Sequence, residues 1–294
     1  MAEDVINNKK PIVFSDVDGT IYNNFIPQQE TIEDIKFLIE NGGDFNICTG
    51  NPCFQRMFWL SERLNARYII GSSGSQIFDT KIKKIIYSKH ISNRIFNNIL
   101  DICKQHEIQM IFWDNENYYY LFDWPINDII FQYHFEDLKV KKEFPKKYDF
   151  EFIEPVKIEL YPHNDADQKE LNQIYSIIKD LKELKIIQTA ALIEIEAELI
   201  DKGSAIQWMM SNIYANEETK LEDVMAIGDG NNDVPMIKLT NFGYALANSN
   251  QNVHNVAHFY TSSVEQNGVG EAIIDYLYRL KHIVKKYLLH DFKK

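Results

Sequence analysis

The segment Asp16-Val17-Asp18-Gly19-Thr20 directly follows a short apolar run, Pro11 to Ser15. Such a run entering a Gly-containing turn suits a buried parallel strand. Ligands of open parallel sheets collect beyond the carboxyl ends of the strands, which is where both carboxylates would sit. Two acids so close repel one another unless a cation or a shared proton intervenes. Magnesium suits this arrangement, because it takes oxygen ligands and commonly uses one or two carboxylates plus a substrate phosphate. An ordinary Asp-rich turn closed by glycine has the same appearance.

A second acidic segment, Gly228-Asp229-Gly230-Asn231-Asn232-Asp233, also follows an apolar strand and opens a helix. Backbone N–H groups at a helix start hold phosphate, and the glycines allow close approach. Its carboxylates would complete a metal shell, although Asn and Asp also cap helices with no further role. The third signal is Asp201-Lys202-Gly203-Ser204, at the start of a helix whose apolar face includes Ile206, Met209, Met210 and Ile213. A lysine in the first turn opposes the helix dipole by roughly 0.3 to 1 kcal/mol, so its position favours a neighbouring anion or a solvated surface. The fourth, Cys48-Thr49-Gly50-Asn51, ends another strand and offers a hydroxyl and a glycine amide to phosphate oxygens, or forms only a turn.

The elements that must position these residues alternate. A helix is predicted from Pro27 to Asn41, a strand at Phe45 to Cys48, a helix around Phe54 to Leu64 and a strand at Tyr68 to Ile70. That order points to a parallel doubly wound sheet. Between about residues 81 and 199 the texture changes. Met110 to Trp113 and Tyr118 to Phe122 read as paired strands, with helical periods around Ile91 to His106 and Gln168 to Leu184. From Lys202 the alternation resumes, with a helix to about Ile213, a strand at Val224 to Ile227, a helix near Asn231 to Leu239, a strand at Gly243 to Ala247 and a closing helix from Gly270. The expected organisation is therefore one α/β domain built from residues 1–80 and 200–294, with an inserted α+β domain at 81–199.

Composition bounds the partners. The 294 residues suffice for about two domains. A net charge of -12 disfavours nucleic acid and anionic lipid, which bind through clustered Lys and Arg. The start of the chain is acidic and polar rather than basic then apolar, and nowhere do about 18 apolar residues run together, so a cytoplasmic protein without membrane association is expected. Three cysteines, Cys48, Cys53 and Cys103, read as buried thiols, and the eight histidines show no metal-binding spacing. Phe112, Trp113, Tyr118 to Tyr120 and Trp124 fit packing better than a substrate face.

In their order of acidic loop, Thr-Gly loop, lysine and second acidic loop, these four segments resemble the haloacid dehalogenase superfamily and, within it, the Cof-type phosphatases. Asn267-Gly268-Val269-Gly270 resembles that family's ending. The resemblance implies a Rossmann-like three-layer α/β/α core with an inserted α+β cap domain. It also implies that Asp16 attacks phosphorus and that Asp18 is the general acid and base. Magnesium would bind Asp16, the Asp18 backbone carbonyl and Asp229, with Asp233 close by, while Thr49, Gly50, Lys202 and Asn232 would hold phosphoryl oxygens. The substrate would be a small phosphorylated metabolite. Two positions depart from the family's pattern: Asn51 stands where arginine is frequent, and Ser73 where asparagine commonly precedes glycine. A hexose-phosphate mutase of the same superfamily and a catalytically idle binding module are the alternatives; oligomeric state is not legible.

Overall fold

The computed structural model describes residues 8–122, 146–163 and 167–285. Its strands in chain order are β1 (Ile12–Ser15), β2 (Asp44–Cys48), β3 (Tyr68–Gly71), β4 (Gln76–Asp79), β5 (Lys84–Ser88), β6 (Gln109–Trp113), β7 (Tyr118–Tyr120), β8 (Lys146–Lys147), β9 (Lys157–Tyr161), β10 (Leu184–Gln188), β11 (Ile193–Ala197), β12 (Met225–Gly228), β13 (Phe242–Leu246) and β14 (Phe259–Thr261). The chain divides into two compact units, one of residues 1–49, 60–68 and 202–294, the other of residues 50–59 and 69–201.

In the first unit the strand order is β14-β13-β12-β1-β2, with every pair parallel. All four residues of β1 and of β12 are buried, so both sheet faces are covered, as a sheet crossed by helical connections requires. Helix Gln29–Glu40 packs on helix Gly268–Lys281, and helix Lys202–Asn212 on helix Val234–Lys238. This is the Rossmann-like α/β arrangement expected of the core.

The closing helix begins at Gly268, two residues before the predicted start, and buries Ile273, Tyr276, Leu277 and Leu280. Ile283 falls beyond its end, because His282 turns left-handed at φ 57. Its entry explains the Asn267-Gly268-Val269-Gly270 segment structurally. Asn267 is left-handed at φ 59, accepts from Thr31 Oγ1 at 2.7 Å and donates to Asp34 at 2.8 Å. A side chain at Gly270 would lie 2.3 Å from both Asn267 Oδ1 and Asp34 Oδ2, so glycine there permits the pairing.

The second unit contains a six-stranded sheet in the order β10-β11-β9-β6-β7-β8. Period-two alternation sorts its residues. Met110, Phe112, Ile158, Leu160, Ile193 and Ile195 share a core with Ile95, Phe96, Ile99 and Leu100 of helix Asn93–Gln105 and Leu171, Ile174 and Ile178 of helix Gln168–Ile178. Ile111, Trp113, Tyr118, Val156 and Tyr161 form a separate cluster. The aromatic residues Phe112, Trp113 and Tyr118 are thus buried packing residues; Trp124 lies outside the described residues.

Two predicted spans change. The helix read from Gln168 to Leu184 ends at Ile178, because Leu184–Gln188 is drawn into antiparallel pairing with Ile193–Ala197 after a left-handed Glu183 at φ 70. The helix read from Asn231 to Leu239 is a tight turn over Asn231–Asp233 followed by helix Val234–Lys238. Cys48, Cys53 and Cys103 are buried thiols, and among the described residues no helix is long and apolar enough to cross a membrane.

Candidate active site

Four segments of the first unit meet at the carboxyl ends of β1, β2 and β12. Asp16 follows β1 and its N–H donates to Ile227 O at 3.0 Å, which fixes it beside the end of β12. Lys202, first residue of its helix, is 0% exposed. Its ammonium donates to Asp16 Oδ1 at 2.6 Å and to Asp233 Oδ1 at 2.5 Å. The anions that its position at a helix N-terminus called for are therefore two carboxylates of the chain itself. Burial alone would lower its pKa, but Asp16 and Asp233 raise it above the ordinary lysine value, so the ammonium stays charged.

Asp233 Oδ2 turns back to accept from Asp229 N at 3.0 Å and Gly230 N at 2.8 Å. That closure makes the tight turn where the sequence suggests regular helix. Glycine is required beside it, since a side chain at Gly228 would lie 2.3 Å from the Asp233 carboxylate carbon. Asp229 presses against Gly19, which sits at φ +82 and leaves 2.6 Å between a hypothetical side chain and Asp229 Oδ2. Thr20 Oγ1 donates to Asp229 Oδ1 at 2.9 Å.

Carboxylate oxygens of Asp16, Asp229 and Asp233 all lie within 4.8 Å of one another. Burial, together with the charges of Asp16 and Asp233, pushes Asp229 up from 3.8 to about 7. Burial and Asp16 push Asp233 up to about 6, against the pull of Lys202. Three carboxylates facing one lysine leave net negative charge in a confined all-oxygen donor set, which fits a hard divalent cation such as magnesium. Asp18 is half-buried, its backbone bridged to Tyr22, and its carboxylate is not part of this trio.

The remaining predicted residues divide. Thr49 is buried just past β2, two residues beyond Ile47, the partner of Ser15 in the β1–β2 register, so it shares the edge that carries Asp16. Asn232 is half-buried in the turn before Asp233. Gly50 belongs to the second unit, where its carbonyl accepts from Lys157 Nζ at 3.4 Å. Of the two departures, Asn51 contributes its carbonyl to Ser72 N at 2.8 Å, and Ser73 is buried at a left-handed φ of 53.

Sequence reasoning missed the segment that braces both acidic loops. Asn248 Nδ2 donates to Gly19 O at 2.8 Å, Ser249 Oγ to Gly228 O at 3.1 Å, and Asn250 N to Asp229 O at 3.0 Å. The signal available was the polar Asn-Ser-Asn run directly beyond an apolar strand, the same context that marked the acidic loops.

A family model for haloacid dehalogenase-like hydrolases matches residues 13–273. The chain belongs to that family. This haloacid dehalogenase-like hydrolase is 24% identical over 270 residues to the 5-amino-6-(5-phospho-D-ribitylamino)uracil phosphatase YcsE of Bacillus subtilis, covering 89% of this chain and 94% of the relative. Among solved structures it is similar in fold to a haloacid dehalogenase-like hydrolase from Bacteroides thetaiotaomicron, with TM-score 0.75, 20% identity and coverage of 90% and 98%. A sugar phosphatase of subclass IIB, BT4131, gives TM-score 0.74 at 20% identity, with coverage of 93% and 100%. The chain is thus a haloacid dehalogenase-like hydrolase whose full-length relative YcsE is named as a phosphatase.

The raised carboxyls make the site sensitive to pH with a definite sign. Groups whose pKa is higher folded than unfolded contribute stability that is whole below 3.8 and is lost as the pH rises through about 6 for Asp233 and about 7 for Asp229. A divalent cation competes with those protons, so millimolar magnesium should raise the Tm more at about pH 8 than at about pH 5. Thermal unfolding with and without magnesium at both pH values checks this; equal increments would argue against a carboxylate site.

Proposed function

We propose that this chain is a magnesium-dependent phosphatase that hydrolyses a small phosphate monoester, such as a sugar phosphate or a phosphorylated cofactor, through an aspartyl-phosphate at Asp16. The observation that carries the reading is the convergence of Asp16, Asp229 and Asp233 on one another around the Lys202 ammonium. In this reading Asp16 and Asp229, with the Asp18 carbonyl and Asp233 alongside, hold the cation. When bound, magnesium supplies positive charge to the transferring phosphoryl oxygens.

The Asp16 carboxylate attacks phosphorus, forming a carboxyl–phosphate bond as the ester P–O bond breaks. Asp18 gives its proton to the departing oxygen, then removes one from the water that attacks the aspartyl-phosphate, so Asp16 and Asp18 are both restored when inorganic phosphate leaves. Thr49, Gly50, Lys202 and Asn232 stabilise the phosphoryl oxygens, where preorganised charge contributes most. Lys202 suits that role because its direction is already fixed by two carboxylates. We also propose that residues 1–80 and 200–294 act as the catalytic core, that residues 81–199 act as a cap, and that the protein works in the cytoplasm.

The reading is tested by phosphate release from p-nitrophenyl phosphate with magnesium, with EDTA, and after magnesium is restored. Turnover should vanish with the chelator and return with the metal. Undiminished turnover in EDTA contradicts the metal dependence.

A further inference from the structure

Gly19 is the most permissive joint of the first acidic loop, because within Asp16–Thr20 it alone sits at a positive φ, +82. The peptide on its N-terminal side carries the Asp18 carbonyl and is held where Gly19 N donates to Tyr22 O at 2.9 Å. The peptide on its C-terminal side is held at both edges. Thr20 N donates to Val17 O at 3.2 Å, and Asn248 Nδ2 donates to Gly19 O at 2.8 Å. These bonds set the two backbone angles of Gly19, and with them the direction of the Asp18 carbonyl. The Asn248 bond comes from outside the loop, 229 residues further along the chain.

Asn248 is itself oriented. Its Oδ1 accepts from Val264 N at 2.9 Å, which leaves the amide nitrogen facing Gly19. Val264 is 3% exposed and its carbonyl accepts from Gln28 Nε2 at 2.9 Å, so the anchor on that side is buried and tied to the chain beyond the first loop. The next two residues reach the second acidic loop, Ser249 Oγ donating to Gly228 O at 3.1 Å and Asn250 N to Asp229 O at 3.0 Å. Asn250 is held in turn. Its Oδ1 accepts from Val253 N at 3.1 Å at the start of helix Gln251–Val256, and its Nδ2 donates to Asn231 Oδ1 at 3.0 Å. Three consecutive residues therefore bond both acidic loops, and the placement of the Asp18 peptide relative to Asp229 depends on them.

We propose that Asn248 is a positioning residue for the divalent cation: by holding Gly19 O it fixes the Asp18 carbonyl relative to Asp229, and so sets the affinity of the site for magnesium rather than the rate of the chemical step. This rests on the phosphatase reading above and its magnesium site. Loss of a group that orients a metal's ligands weakens metal affinity by roughly 10- to 100-fold. Asn248 is exposed, so water competes for its bond and the expected effect lies at the lower end, about tenfold. Asn248→Asp keeps the acceptor for Val264 N but turns a second acceptor on Gly19 O. The bond to Gly19 is then lost, while the added negative charge by itself would favour a cation.

The test is calorimetric titration of magnesium into the metal-free protein, alongside p-nitrophenyl phosphate turnover over a range of magnesium concentrations. Asn248→Ala should raise the magnesium Kd, and the magnesium concentration giving half-maximal turnover, by about tenfold, with kcat at saturating magnesium nearly unchanged. Asn248→Asp should also bind magnesium more weakly than the wild-type protein, despite its added charge. Should Asn248→Ala fail to fold by thermal unfolding, Asn248→Asp carries the same comparison. Wild-type affinity in folded Asn248→Ala, affinity equal to or above wild type in Asn248→Asp, or a loss confined to kcat overturns the inference while leaving the phosphatase reading intact. A wild-type protein that binds no magnesium overturns both.

Discussion

Asp16→Asn should abolish turnover while leaving the fold in place. The amide matches the carboxylate in shape and can still receive the Lys202 ammonium through its oxygen, where Asp16 Oδ1 now lies 2.6 Å from Nζ. What it lacks is the anionic oxygen that attacks phosphorus, so a loss of roughly a thousandfold or more in kcat is expected, typical of removing a member of a catalytic unit. The substitution also removes the charge that helps to push Asp229 and Asp233 up. The magnesium-free variant should therefore lose less stability between about pH 5 and pH 8 than the wild-type protein does. Phosphate release and thermal unfolding measured on one preparation check both parts. Retained turnover would remove Asp16 from its role, and a collapsed fold would mark it as structural.

Lys202→Met should be the more damaging substitution for the fold. The ammonium is wholly buried and is the positive charge bonded to both Asp16 and Asp233. Without it, the three clustered carboxylates lose the ammonium that two of them bond. Removing one partner from a buried ion pair costs about 3 to 5 kcal/mol, because the charge left behind is uncompensated. The loss should be greatest in chelator and should shrink when magnesium is added, since the metal then carries the neutralisation alone. Chemical denaturation with EDTA and with magnesium measures the difference; a loss that magnesium does not change would assign Lys202 a purely packing role. Turnover should fall as well, by about a hundredfold to a thousandfold, the scale of removing one preorganised charge from a transition state.

Much of the core was legible because its signals are local. The apolar run before Asp16 is β1, the Asp229 and Asp233 loop follows β12, and Lys202 opens its helix. Each depends on only a few neighbouring residues. The turn at Asn231–Asp233 was not legible, because it forms only when the Asp233 side chain bonds the backbone of Asp229 and Gly230. Thr20 and the Asn248–Asn250 brace were missed for a related reason: their partners lie far away in sequence, and a polar run beyond an apolar strand marks a loop without showing what it bonds to.

The inserted unit was harder to read. β9 and β11 carry the pattern of half-exposed strands, with Lys157 and Glu159 alternating with Ile158 and Leu160, and Glu194 and Glu196 alternating with Ile193 and Ile195. Alternation of that kind ordinarily places the charges in water. Here the charged face is largely buried as well, and only the three-dimensional structure brings the four charges together.

The most direct test traps the enzyme during turnover. A sample quenched in acid while hydrolysing p-nitrophenyl phosphate and then reduced with borohydride should yield homoserine in place of aspartate at position 16, because reduction cleaves an acyl phosphate to the alcohol. Peptide mapping that finds position 16 unmodified in an actively turning-over sample, with the reduced residue elsewhere, would contradict the account.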